Sequence, residues 1–339
     1  MTESKAMILG CAGKSLTAEE IGFYRGERPW GFILFARNIG EPEQIRDLVA
    51  SLRETVDRPD APVFIDQEGG RVQRLRPPVA PNYPAAAAIG SLFRQDRDAG
   101  LRAAWLLARL HAFDLQRLGI AADCLPVLDV PVAGASDVIG TRAYGTDPEA
   151  VIALGRAAAE GLMSGGVLPV MKHMPGHGRA FADSHHTLPV VEASLDELRA
   201  HDFRPFKALS HLPAAMTAHI VFTAVDPQRP ATTSAKVIGE IVRGEIGFEG
   251  LLISDDTSMK ALSGDFSRKA ADILAAGCDL VLHCNGVMEE MAGIASRTAV
   301  LSGKSLERAE RALGYIGTGD ATQETAIRAE FTNYFEAVA

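Results

Sequence analysis

Val167-Leu-Pro-Val-Met-Lys-His-Met-Pro-Gly-His-Gly-Arg-Ala-Phe-Ala-Asp-Ser-His-His186 changes character at Lys172, from an apolar run to a polar, glycine-punctuated one. Residues 167–171 have the length and composition of a buried strand, and the polar groups emerge where that strand opens into a loop. The loop holds four of the chain's nine histidines, with one lysine and one aspartate. Upstream, Gly165-Gly166 closes an amphipathic stretch that begins at Asp147-Pro148, a capping residue followed by a helix-compatible proline. Helix, glycine, buried strand and polar loop therefore follow one another, and the same order recurs along the chain.

Short apolar runs at 6–10, 31–35, 63–66, 121–130, 167–172, 214–219, 250–255 and 279–284 read as eight strands. Helices are expected near 18–25, 42–56, 97–118, 148–163, 195–210, 235–245, 267–275 and 288–301. Thr17 with Glu20 and Ser194 with Glu197 have capping-box spacing. Gly119, Gly247 and Gly277, like Gly166, stand where a helix must turn into a strand. Eight strand–helix units fit a TIM (β/α)8 barrel, a fold usually built from about 250 residues plus loop insertions. A doubly wound open sheet satisfies the same count, because counting strands does not establish closure. Segments 77–90, 133–145, 176–190 and 222–233, rich in Pro, Gly, Ser and Asp, take up the extra length as loops after strands. No linker or repeat divides residues 1–339, so one domain is expected, with a polar, helix-prone segment from about 302 packed on its outside.

With 47% hydrophobic and 23% charged residues, the 339-residue chain can bury a large core. Its net charge of -9 is spread without a basic patch, which argues against nucleic acid or anionic lipid as partners. Cys11, Cys124, Cys278 and Cys284 read as free thiols, mostly buried, in a reducing, cytoplasmic setting. Ile8-Leu-Gly-Cys11 superficially resembles a lipoprotein cleavage site, but too few apolar residues precede it for export to be expected. No apolar run reaches the roughly 18 to 20 residues of a membrane span.

Polar residues gather at strand ends: Asp66, Asp129, Lys172 with His173, His219 and Asp255. In a barrel those ends converge on one pocket. Asp255 in Gly250-Leu-Leu-Ile-Ser-Asp-Asp-Thr-Ser-Met259 is expected to face substrate, with Asp256 capping the following turn. Asp66-Gln-Glu-Gly-Gly-Arg-Val-Gln-Arg74 offers acids and arginines around a Gly-Gly turn. They suit either directional recognition of hydroxyls and an acetamido or carboxylate group or a surface ion pair that stabilises the turn. His173 and His177 have the four-residue spacing of a helical zinc pair, but Pro175 and Gly176 argue against a helix and thus against a metal. Asp183 beside His185 reads either as a carboxylate–imidazole pair able to move a proton or, taken alone, as incidental surface polarity. His111, His186, His201 and His211 read as structural or solvent-facing.

Together, Asp66 to Arg74, Leu125-Pro-Val-Leu-Asp-Val130, Lys172-His-Met-Pro-Gly-His-Gly178, Asp183-Ser-His185 and Ile253-Ser-Asp-Asp-Thr-Ser-Met259 resemble family-three glycoside hydrolases in order and spacing. Within them, the resemblance is to single-domain bacterial β-N-acetylglucosaminidases of peptidoglycan recycling, and it spans about Gly31 to Cys284. It implies Asp255 as nucleophile, His185 with Asp183 as general acid/base, and Asp66, Arg74, Arg142, Lys172 and His173 as sugar ligands. Met174 and Thr257 depart from the commoner Phe and Leu, which touches packing and not reacting groups.

The expectation is a cytoplasmic, monomeric, retaining exo-enzyme with no metal or cofactor. Its small-molecule substrate would be GlcNAc-β-1,4-anhydroMurNAc, with or without peptide. A β-glucosidase of the same family would need a second domain for which this length has no room. Two other classes remain open: a metal-dependent amidohydrolase, for which residues 8–12 offer no His-x-His pair, and a non-catalytic muropeptide sensor.

Overall fold

The computed structural model describes residues 3–181 and 188–335. Its main sheet contains eight parallel strands: β1 (Lys5–Leu9), β2 (Pro29–Leu34), β3 (Val63–Ile65), β4 (Ala122–Asp123), β5 (Leu168–Met174), β6 (Ala214–Thr217), β7 (Leu251–Ile253) and β8 (Val281–His283). Each pairs with its neighbours in chain order, and β8 returns to β1 through Met7–Val281, Ile8–Leu282 and Leu9–His283. A bridge from Ile253 to Leu280 closes the remaining seam, with Ser254 N–H donating to Leu280 O at 3.0 Å and Thr257 N–H to Leu282 O at 3.0 Å. This closure separates the (β/α)8 barrel from the open sheet. All eight expected strands lie in it.

The strands carry apolar residues on both faces, as parallel strands buried on two sides do. Ile8, Ile33, Phe64, Val170, Met216 and Leu282 point inward and form an inner cluster. Met7, Leu9, Phe32, Leu34, Met171 and Leu252 point outward, against the helices. The alternation is the period-two consequence of pleating. Helix Gly303–Leu313 places Ala309 and Ala312 against the inner cluster, near Trp30 at the start of β2. Thus it covers the end of the barrel opposite the strand C-termini.

Capping follows the sequence closely. Thr17–Glu20 and Ser194–Glu197 both form capping boxes, and Asp147 accepts from Glu149 N–H. Gly277 takes φ 109° at the end of helix Phe266–Ala276, a left-handed conformation that favours glycine.

Three expectations need correction. The 77–90 loop ends in a helix, Ala86–Gln95, whose start at Ala85 has no side-chain cap. The single helix at 195–210 is two, Leu195–Ala200 and Arg204–Ala208, with Pro205 fitting only the first turn of the second. The helix expected over 288–301 stops at Ala295, and Leu301 N–H instead donates to Ser4 O at 2.8 Å, tying this segment to the start of β1. The four cysteines are free and buried.

Candidate active site

A cavity of about 260 Å³ opens at the C-terminal ends of the strands, and Asp66, Arg74, Arg142, Lys172, His173 and Asp255 all line it. Six of the eight expected site residues therefore converge from β3, β5, β7 and two loops. Asp183 and His185 lie outside the described residues.

β3 ends directly before Asp66, and the chain continues into a small hairpin, Gln67–Gly69 against Val72–Gln73. Gly69 and Gly70, at φ 94° and 59°, make its turn. The reversal brings Arg74 back over Asp66, with Nη2 donating to Oδ2 at 2.9 Å. From β5, Lys172 Nζ donates to Asp66 Oδ1 at 2.7 Å and contacts Glu68 Oε1 at 2.7 Å. Burial alone would raise the Asp66 pKa, but Lys172 and Arg74 outweigh it and hold the carboxyl far below its ordinary value. Lys172 is raised by the same pairing, with Asp66 and Glu68 overcoming its burial.

The next residue on β5 turns to a different partner. His173 Nδ1 lies 2.7 Å from Asp129 Oδ2, and Asp129 Oδ1 accepts the backbone N–H of His173 at 3.2 Å and of His177 at 2.7 Å. A carboxylate at Nδ1 favours a proton on that nitrogen, and Nε2 faces Arg142 Nη2 at 3.5 Å. Arg142, at the end of the turn Gly140–Arg142, also grips Glu68 through two nitrogens, Nε to Oε2 at 2.9 Å and Nη2 to Oε1 at 2.8 Å.

Asp255 follows β7, across the cavity. Its Oδ1 accepts Asp256 N–H at 2.8 Å, while its own N–H donates to Thr217 Oγ1 at 3.3 Å. Burial would raise its pKa, but His219 and His173, with the Asp256 N–H, leave it below the ordinary value. The carboxylate is thus ionised and aimed at the space enclosed by the cations. Asp256, expected only to cap the following turn, also lines the cavity; its carboxylate accepts Ser258 N–H at 3.0 Å and Cys284 N–H at 3.1 Å.

Asp129 was expected at a strand end, Glu68 within the acid-and-arginine turn and His177 only as half of a disfavoured zinc pair; none was assigned to the sugar or the reaction. Glu68 had a readable signal, since residues two apart on an extended chain share a face and Asp66 was already suspected. His177 lines the cavity, and burial, then the nearby His173, lowers its pKa to about 4. Met174 is buried in β5, where its thioether sits in the core. Thr257 earns its polar side chain: its Oγ1 lies 2.9 Å from His283 Nδ1, a contact leucine lacks. The strand conformation of 168–174 removes the helical geometry a His173–His177 zinc pair needs. Among the described residues no group of three His, Cys, Asp or Glu is arranged to hold a metal ion.

A family model described as the glycosyl hydrolase family 3 N-terminal domain matches residues 30–312. The chain belongs to glycosyl hydrolase family 3. This family-3 hydrolase is 39% identical over 317 residues to a Beta-hexosaminidase of Pseudomonas aeruginosa, covering 92% of each chain. It superimposes with a TM-score of 0.85 on NagZ from Neisseria gonorrhoeae in complex with N-trifluoroacetyl-D-glucosamine, at 32% identity, covering 98% of this chain and 96% of that one. A family 3 β-N-acetylglucosaminidase from Paenibacillus sp. matches with a TM-score of 0.81 at 30% identity, and this hydrolase spans 62% of that longer chain.

Proposed function

We propose that this glycoside hydrolase is a retaining exo-β-N-acetylglucosaminidase that removes terminal GlcNAc from GlcNAc-β-1,4-anhydroMurNAc, with or without peptide, in peptidoglycan recycling. The observation that carries the reading is Asp255, an ionised carboxylate across a small cavity from Asp66, Arg74, Arg142, Lys172 and His173. The β-N-acetylhexosaminidase class is supported by the relatives in Pseudomonas aeruginosa and Neisseria gonorrhoeae, which match over nearly their whole length.

In this reading the cations and Asp66 hold the hydroxyls of a neutral sugar ring and set its anomeric carbon against Asp255. Asp255 attacks C1 and forms a covalent glycosyl-enzyme as the aglycone leaves. His185, oriented by Asp183, gives a proton to the departing oxygen and then takes one from the water that releases GlcNAc. Retaining glycosidases usually employ two carboxyl groups about 5 to 5.5 Å apart, so a histidine here replaces the second acid. An imidazole with an ordinary pKa of about 6.5 can give and take a proton near neutrality. Within the described residues no helix is long and apolar enough to cross a membrane. A cytoplasmic, monomeric enzyme without cofactor remains part of the proposal.

The test is turnover of a chromogenic β-GlcNAc glycoside by the intact chain and by Asp255→Ala. Turnover with retained configuration, abolished in a variant that keeps its circular dichroism, is expected. Tight binding without turnover in the intact chain would replace the hydrolase with a sugar-binding sensor. Near-normal activity in Asp255→Ala would remove the nucleophile assignment.

A further inference from the structure

Glu68 does not line the cavity, and its side chain is 3% exposed. Its carboxylate nevertheless touches two residues that do. Oε1 meets Lys172 Nζ at 2.7 Å and Arg142 Nη2 at 2.8 Å, while Oε2 accepts Arg142 Nε at 2.9 Å. The Nε and Nη2 edge of an arginine is the one that clasps a carboxylate, phosphate or sulfate through two parallel hydrogen bonds. Glu68 occupies that edge from behind, and Arg142 Nη1 is drawn toward Val138 O at 3.3 Å. Lys172 has three protons to donate, of which Asp66 and Glu68 take two. This corner thus presents single donors to the cavity and keeps its anion-clasping fork turned away.

Charge leads to the same conclusion. In their direct ion pairs Arg74, Arg142 and Lys172 meet two carboxylates, Asp66 and Glu68, one fewer than the cations, while Asp255 and Asp256 stand across the cavity. Without Glu68 that difference is two, and half of the fork is released.

We propose that Glu68 is a positioning and specificity-determining residue, a buried counter-charge that aligns Lys172 and Arg142 for a neutral, hydroxyl-bearing sugar and denies the corner to anions. The proposal rests on the reading of the cavity as a sugar site. It does not place Glu68 in contact with substrate.

The experiment uses the full chain at constant ionic strength, comparing wild type with Glu68→Gln and Glu68→Asp. It measures KM and kcat on the chromogenic glycoside and competitive inhibition by GlcNAc and by inorganic sulfate. Glu68→Gln is expected to weaken GlcNAc about tenfold, the effect of one lost charge-assisted hydrogen bond. Sulfate inhibition should strengthen by at least a similar factor. Glu68→Asp should keep sulfate weak. Loss of both ligands together, or no change in either, would overturn the proposal, because a merely structural glutamate has no reason to move neutral and anionic ligands in opposite directions. Should Glu68→Gln fail to fold, Arg142→Lys keeps the charge balance while dissolving the fork: it should weaken GlcNAc and leave sulfate at the wild-type level, and a gain in sulfate affinity would refute the charge argument. If the wild type neither binds GlcNAc nor turns over the glycoside, the functional reading falls, while the sulfate comparison still judges Glu68.

Discussion

Asp129→Asn is the substitution whose cost the structure fixes most tightly. Asp129 is wholly buried, and its two oxygens accept two backbone N–H groups and one imidazole nitrogen at 2.7 to 3.2 Å. An asparagine can keep its oxygen on the two backbone donors, but it then turns an NH2 toward His173 Nδ1. To accept from it, the imidazole must move its proton to Nε2, which faces the Arg142 guanidinium. Either the Nδ1 side or the Nε2 side ends with donor against donor. Losing one charge-assisted hydrogen bond while leaving a buried group unpaired costs about 3 kcal/mol.

The pH dependence follows from the depressed carboxyl. Burial would raise the Asp129 pKa from its ordinary 3.8, but the His173 ring, and after it His177, bring it to about 2. A carboxyl whose folded pKa lies below its unfolded one stabilises fully above the unfolded value and loses that contribution as pH falls toward the folded value. The carboxyl's contribution to the advantage of wild type over Asp129→Asn should therefore be about 1 kcal/mol smaller at pH 3 than at pH 5. Urea unfolding followed by circular dichroism at pH 7, 5 and 3 measures it. A difference below about 1 kcal/mol at pH 7, or one that grows between pH 5 and pH 3, refutes the reasoning.

Thr257→Val keeps the shape and removes the partner of His283 Nδ1, so chemical denaturation should report a loss of about 1–3 kcal/mol. Gly90→Ala would set a Cβ 1.6 Å from the backbone oxygen of Tyr144; overpacking of this kind costs about 1–3 kcal/mol or more. Because Tyr144 follows closely on Arg142, a raised KM should accompany the lower melting temperature. His185→Ala should slow hydrolysis of poor leaving groups far more than of nitrophenolates, since only the former need a proton; an equal loss across a leaving-group series would contradict a general-acid role.

The eight strands were legible because they are short, apolar on both faces and introduced by glycines with a defined backbone task, whereas closure rests on the β8–β1 pairing and the Ile253–Leu280 bridge. The convergence of polar residues at their ends was legible too, since a charged residue terminating an apolar run in a barrel faces the mouth that the other strand ends share. What escaped were features set by tertiary contact. Helix Ala86–Gln95 follows a proline-rich stretch and has no capping side chain, so its start carries no local mark. Glu68 and Asp129 were visible as acids, but their value lies in Lys172, Arg142 and His173, which are distant in sequence. Thr257 looked like a packing change, and only the approach of β8 gives its hydroxyl a partner.

The central claim is that Asp255 forms the covalent bond to the sugar. A slow fluorinated GlcNAc-type glycoside, incubated with the intact enzyme and followed by peptide mass spectrometry, tests it directly. The account predicts one added fluoroglycosyl mass on the peptide containing Asp255, and none in Asp255→Ala. A label on another carboxylate, or steady turnover of ordinary substrate with inverted configuration, would contradict it.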